Sequence, residues 1–320
     1  MLAADRSAAR FVSLPVPPGT KLVQFKDFAQ NGAGLYSADT GLLGPGPARV
    51  VYRLAPRSST RSDATAGPTD PYYVMRFGGN DDTTVASGLD IAGFTIQATD
   101  QGHIYGGLFV GYSQGARVHD VVIRGIPGTS SAPPGETFSL AGWHANGMRV
   151  SNVIVDGRDG AGQPVAASLF ATNSQDDVVF EHIVGHYSAN GFGLTLWDSS
   201  NVTVRHADLR FNRRAINCEQ PHPGLMQFID CDLRGQLDQT DPHMTFSGTR
   251  GSTKVVITDP KVDRWPLRVG VAQPDYQGGA ETQQVGDIHL IVAGKDVTDD
   301  PAYLIAGQVW GRTSTGAAGN

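Results

Sequence analysis

The feature that most constrains this chain is a repeat of short strand-like stretches, most of them following a pair of small polar residues. Set in register they read "HDVVIRG" (119–125), "SNVIVDG" (151–157), "DDVVFEH" (176–182), "SNVTVRH" (200–206), "GLMQFID" (224–230) and "TKVVITD" (253–259). Their third positions, Val121, Val153, Val178, Val202, Met226 and Val255, lie 32, 25, 24, 24 and 29 residues apart. A period near 24 with no 3.6-residue amphipathic pattern between the strands predicts a β-solenoid, one coil per repeat. The two longest intervals contain "GIPGTSSAPPGETF" (125–138) and "GQLDQTDPHMTFSGTRGST" (235–253), which are loop chemistry and are expected to project from one side.

Alternation along each strand predicts two stacked core columns, the valine column above and a second of Ile123, Val155, Phe180, Val204, Phe228 and Ile257. A further family, "GGLFVGY" (106–112), "AASLFAT" (166–172), "FGLTLWD" (192–198) and "RRAINCE" (213–219), supplies another wall of the same coil, and "GFTIQAT" (93–99) carries the repeat towards the N-terminus. The organisation predicted is an N-terminal cap or attachment segment over 1–80, a parallel β-helix over 81–272, a C-terminal cap over 273–310 and a flexible tail over 311–320.

Composition agrees with a β-rich chain: 40 glycines, and 18% charged residues against roughly 25% in an average globular protein. The net charge of −6 provides no basic field for nucleic acid or an anionic membrane surface. No stretch reaches the roughly 18 apolar residues of a membrane-spanning helix. The N-terminus, broken by Asp5, Arg6 and Arg10, lacks the apolar run of a secretory signal, so synthesis and folding in a cytoplasm are expected. Cys218 and Cys231 make no disulfide framework or metal motif and are expected as packed, reduced thiols.

A coil of 24 residues with Asn, Asp and Ser at its turns resembles the right-handed, single-stranded parallel β-helix of the pectin-lyase-like superfamily, over residues 83–272. The stretches "TDQGHIYGGLFVGYSQGARVHDVVIRGIPG" (99–128), "SAPPGETF" (131–138) and "GLTLWDSSNVTV" (193–204) resemble the β-helix minor tail or tailspike-type proteins of bacteriophages infecting actinobacteria. That resemblance implies a homotrimer on a virion tail, attached to other tail proteins and recognising host cell-wall polysaccharide. It implies no cofactor. The alternative on the same fold is a polysaccharide-degrading enzyme, a glycoside hydrolase or lyase.

Polygalacturonase-like members of the superfamily carry paired aspartates, a Gly-His element and an Arg-x-Lys clamp. The stretch "SQDDVVFEHIVGHYSANGFG" (174–193) offers Asp176, Asp177 and Gly185-His186, but "SANGFGLTLWDSSNVTV" (188–204) matches the family segment and puts the acid positions at Ala189 and Asn190. Neither is an acid. The column Asp120, Asn152, Asp177 and Asn201 reads as a turn ladder, against a divergent catalytic site or a cation site, and "RRAIN" (213–217) stands in place of the clamp.

Asp156 and Glu181 are predicted at one outward strand position of neighbouring coils, about 4.8 Å apart by strand spacing, flanked by Arg124 and Arg205. They are the candidate catalytic pair, or a charge ladder in which each acid finds an arginine. Trp143, His144, Trp197, Asp198, Glu219 and His222 fall near the ends of the other wall's strands. Aromatic faces beside carboxylates and imidazoles suit sugar rings, so these are the candidate glycan contacts, with packing under a loop or partner as the other reading. Glu136 in the long insertion is either an arm over that groove or a loop-tip charge. His182 and His206 share a position without a third ligand, and no metal site is assigned. Val122, Ile154, Val179 and Val256 should form an outward apolar stripe, which association of three coils would cover.

Overall fold

The computed structural model describes residues 12–15, 19–23, 40–43, 46–47, 50–54, 73–79, 83, 85–97, 106–126, 138–164, 168–174, 176–188, 191–237, 242–247, 251–272 and 288–306. The described residues contain strands and turns and no helix. Their strands stack in parallel as a β-helix with three walls, and parallel crossovers of this kind take the right-handed sense.

The first wall runs through Asp90–Gln97, Arg117–Arg124, Arg149–Ser151, Val178–Glu181, Val202–Arg205, Gly224–Ile229, Thr253–Thr258 and Ile288–Val292. After one corner residue the chain enters the second wall, formed by the end of Arg117–Arg124, by Ile154–Asp156 and by Val184–His186. Single bridges through Asp208, Asp232 and Lys261 continue it. The third wall is a separate sheet that includes Gly106–Gln114, Phe138–Asn146, Ser168–Asn173, Phe192–Trp197, Arg214–Glu219, Met244–Ser247, Val269–Ala272 and Leu304–Ala306.

Inward residues form continuous columns. Val150, Phe180, Val204, Phe228 and Ile257 stack on the first wall, and Leu140, Phe170, Leu194, Ile216 and Met244 on the third, all buried. Each side chain meets its like in the coils above and below, so the core is a series of repeated contacts rather than one central cluster. Cys218 and Cys231 are free thiols within it, and burial raises the Cys231 thiol to about 12.

The corners are made by residues in the left-handed conformation, several in each coil. Asp120, Asn152, His182, His206, Asp230 and Asp259, with φ between 49° and 53°, turn the first wall into the second. Gly88, Gly115, Gly147, Asp177 and Asn201 precede the first wall, with φ between 41° and 68°. Asn and Asp tolerate this region because their short polar side chains bond locally, and glycine because it has no Cβ.

The predicted register fails at one place. Val178, Val202, Met226 and Val255 are in register, as are Val121 and Val153 through the pairing of Val122 with Ile154. But Val150 pairs with Phe180, so "SNVIVDG" aligns with "EHIVGHY" (181–187) and that coil is 30 residues long, not 25. Ser151-Asn152-Val153 and Ser200-Asn201-Val202 are the same tripeptide at two different corners. The turn ladder is correspondingly split, with Asp120 and Asn152 in one column and Asp177 and Asn201 in another.

Parallel pairing also extends beyond 81–272 on both sides. Thr40–Leu43 and Val50–Leu54 pair with Asp90–Gln97, while Ile288–Val292 and Leu304–Ala306 continue the two sheets. The strand Phe138–Asn146 occupies a coil that the insertion obscured in the sequence. Residues 311–320 lie outside the described residues.

Candidate functional site

Asp177 sits at its corner with φ 41° and accepts a hydrogen bond from Arg149 at 2.7 Å, while the Asp176 carbonyl accepts from the Gly147 N–H at 2.8 Å. Both aspartates are engaged in turn geometry. Ala189, Asn190 and Glu136 lie outside the described residues.

Asp156 and Glu181 are not neighbours in the ladder, which corrects the predicted pair. Asp156 lies opposite Arg124 and His186 on the second wall, whereas Glu181 lies opposite Ser151 and Arg205 on the first. The reason is the shifted register, which moves them to different walls. Each acid is held by arginine: Arg158 reaches Asp156 at 2.9 and 2.7 Å, and Arg205 reaches Glu181 at 2.9 Å. Burial acts to raise the Asp156 carboxyl, but hydrogen bonds from Arg158 outweigh it and the net shift is downward.

The same arrangement recurs along the second wall in a spacing that sequence reading passed over. "DGR" (156–158), "DLR" (208–210) and "DLR" (232–234) each place Asp and Arg on one strand face two residues apart, with contacts of 2.7, 2.7 and 2.6 Å. His186 Nε2 lies 2.8 Å from Asp208 without a well-aligned hydrogen bond. His182 and His206 stack at 4.8 Å with rings 9° apart and face Glu181 and Asp230. No group of three or more His, Cys, Asp or Glu side chains among the described residues is placed to hold a metal.

The predicted contact residues converge on the outer face of the third wall. One outward row there runs Phe109, Ala141, Ala171, Thr195, Asn217, Thr245, all at most 7% exposed. Its first three members are apolar and its last three polar. Gly111 makes the apolar end possible, because a Cβ there would stand 2.3 Å from the Phe109 ring.

Two residues further along each strand lies the parallel row Gly111, Trp143, Asn173, followed by Trp197, Glu219, Ser247. The Trp143 and Trp197 rings meet edge-to-face at 5.3 Å, and Asn173 between their strands is buried. Asn217 Nδ2 donates to Glu219 Oε1 at 2.8 Å and Asn217 Oδ1 accepts from Thr245 Oγ1 at 2.6 Å, so a buried relay orients the carboxylate. Thr195 Oγ1 is buried and without a hydrogen-bond partner.

The chain leaves this row through left-handed residues, Tyr112, His144, Asp198 and Gln220, with φ between 42° and 51°. His144 stacks on Tyr112 at 5.1 Å, and His222 Nε2 lies 2.8 Å from Asp198. Trp143, His144, Trp197, Asp198, Glu219 and His222 thus occupy one margin of one face. Thr195, Asn217 and Thr245 were missed, although "TLW" (195–197), "NCE" (217–219) and "TFS" (245–247) repeat a small polar residue two places before the rim.

No family model matches the chain, and no curated protein matches it in sequence. Among solved structures it is similar to the A-module of the Azotobacter vinelandii mannuronan C-5 epimerase AlgE4, at 12% identity over 94% of this chain and 88% of that one, TM-score 0.44. It is also similar to the AlgE6 A-module of the same organism, at 14% identity over 93% and 91%, TM-score 0.36. A third is ORF18 of Geobacillus virus E2, at 8% identity over 84% and 51%, TM-score 0.33. At these identities and TM-scores the likenesses carry nothing about the site.

Proposed function

We propose that the chain is a glycan-binding β-helix, carried as a homotrimer on a bacteriophage tail and recognising polysaccharide of the host cell surface. The observation that carries the glycan reading is the outer row of the third wall, where the paired indoles of Trp143 and Trp197 adjoin the Glu219 carboxylate fixed by Asn217 and Thr245. Sugar rings need an apolar surface for their C–H faces and paired polar groups for their hydroxyls. Trp143 packs on Ala141 and Ala171, and the buried Asn217 presents the Glu219 carboxylate beside Trp197, so both requirements meet at the rim. The tail assignment is supported by the resemblance of residues 99–128, 131–138 and 193–204 to β-helix tail proteins.

The test is cosedimentation of the full chain with insoluble cell-wall polysaccharide from an actinobacterial host. Trp143→Ala and Trp197→Ala should each weaken binding about tenfold or more, as removal of a central aromatic contact does. Unchanged binding in both variants would sink the reading. A reducing-end assay on the same material covers the enzymatic alternative: turnover by the wild type that Glu219→Gln abolishes would make this face a cutting site.

A further inference from the structure

The loop that leads from the second wall into the third-wall strand Val269–Ala272, residues 264–268, collects hydrogen-bond donors without matching acceptors. Arg117, Arg149, Arg158, Arg205, Arg210 and Arg234 each hold a carboxylate. Arg264 and Arg268 hold none among the described residues, and Arg264 Nε is buried without a partner. His243, 1% exposed, feels the charge of both, and its Nδ1 accepts the backbone N–H of Arg268 at 3.2 Å.

That hydrogen bond puts the proton of the neutral imidazole on Nε2. Burial first, then the charge of Arg264, lowers the His243 pKa to about 4, so the ring is neutral near pH 7 and offers a donor. Asp263 is the nearby acid, and its carboxylate already accepts the Gly235 N–H. Trp265, in the same loop, is 59% exposed and packs edge-on against Tyr303 at 6.0 Å.

His243 and Arg268 are neighbours in the ladder, since Met244 pairs with Val269. Each lies two residues upstream of the Thr245 row, on the margin opposite Trp197 and Glu219. An unpaired guanidinium donor in a half-buried site is satisfied best by a charged oxygen ligand, which a planar fork can grip with two hydrogen bonds. A neutral hydroxyl satisfies one donor and leaves the charge unmatched.

We propose that Arg264, Arg268 and His243 form an anion-binding subsite, walled by Trp265, that takes the carboxylate or phosphate of an acidic glycan. The polymeric nature of the ligand rests on the glycan reading above; the anion site itself does not.

The experiment uses the full chain with 15N-labelled tryptophan and follows the indole signals of Trp143, Trp197 and Trp265. The probes are galacturonic acid for carboxylate, glycerol 3-phosphate for phosphate, and galactose as the neutral control. The expected result is a saturable Trp265 shift with one or both anionic probes and at least tenfold weaker response to galactose. Arg264→Gln combined with Arg268→Gln should weaken the anion response tenfold or more while leaving the Trp143 and Trp197 responses in place. Arg268→Lys, which keeps the charge and loses the fork, should weaken it several-fold and covers the case in which the double variant does not fold.

The relative response to uronate and phosphate identifies the source of the anion. Equal Trp265 shifts with galactose and the anions, or wild-type anion response in both variants, would overturn the proposal. A Trp265 response to anions with Trp143 and Trp197 silent to every sugar would instead uphold the subsite and remove the glycan reading.

Discussion

Asp208 shows how much one residue carries on the second wall. Burial works to raise its carboxyl, but the contact with His186 and the paired guanidinium of Arg210 hold it well below the usual aspartate range. Its native carboxyl therefore titrates below its unfolded one. The stabilisation is present in full above the ordinary aspartate pKa of about 4 and is lost as pH falls through the lowered native value. Asp208→Asn should cost roughly 1–3 kcal/mol at pH 7, the range for a half-buried charged hydrogen-bond partner removed from its donors. Urea titrations at pH 7 and below 4 check this: the gap between variant and wild type should narrow in acid, and a constant gap would refute the assignment. The Asp-x-Arg spacing behind it was present in the sequence. What could not be read there was that His186 comes within reach of Asp208, because its coil is 30 residues long and puts Val184, two residues before it, opposite Asp208.

At the scale of the element, the corners decide the register. A coil changes wall wherever a residue can adopt positive φ, and Asn152, Asp177, Asn201 and Asp259 all do so. Local sequence marks such a residue without saying which corner it makes. Asp259, exposed and at φ 49°, isolates the backbone contribution. Asp259→Gly should lie within about 0.5 kcal/mol of the wild type, while Asp259→Val should cost roughly 1–2 kcal/mol, because a β-branched side chain crowds the backbone in this region. Equal thermal midpoints for the two variants would show that the corner is not held in that conformation. The strands themselves were legible, since alternation identified Val202 and Val204 as the inward residues of "SNVTVRH", and both are buried where it placed them. The catalytic pairing of Asp156 with Glu181 failed only because it depended on the corner.

For the molecule as a whole, the expected apolar stripe is broken. Val122 and Val179 are each 8% exposed and belong to different walls; Ile154 is 43% exposed. Thr203 and Gln227 stand between Val179 and Val256 in the ladder. The trimer therefore draws no support from a continuous side stripe and stands on the tail-protein resemblance. Sedimentation equilibrium should give three times the chain mass; a concentration-independent monomer would remove the assembly from the proposal and leave the glycan-binding face untouched.

The sequence by itself determined that this chain is a stack of parallel coils, because a short period with alternating apolar residues leaves few other ways to bury them. It also brought Trp197 and Glu219 onto one rim, since each closes a strand of the same wall, whereas Trp143 joined them through a strand that the insertion obscured. Only the tertiary structure decided which acids face which. A shift between coils exchanges one wall for another while keeping every buried residue buried, so hydrophobic pattern cannot choose between registers, whereas polar contacts change completely. The relay from Thr245 through Asn217 to Glu219 and the ladder neighbours His243 and Arg268 arise between coils, where hydrophobic pattern gives no guide.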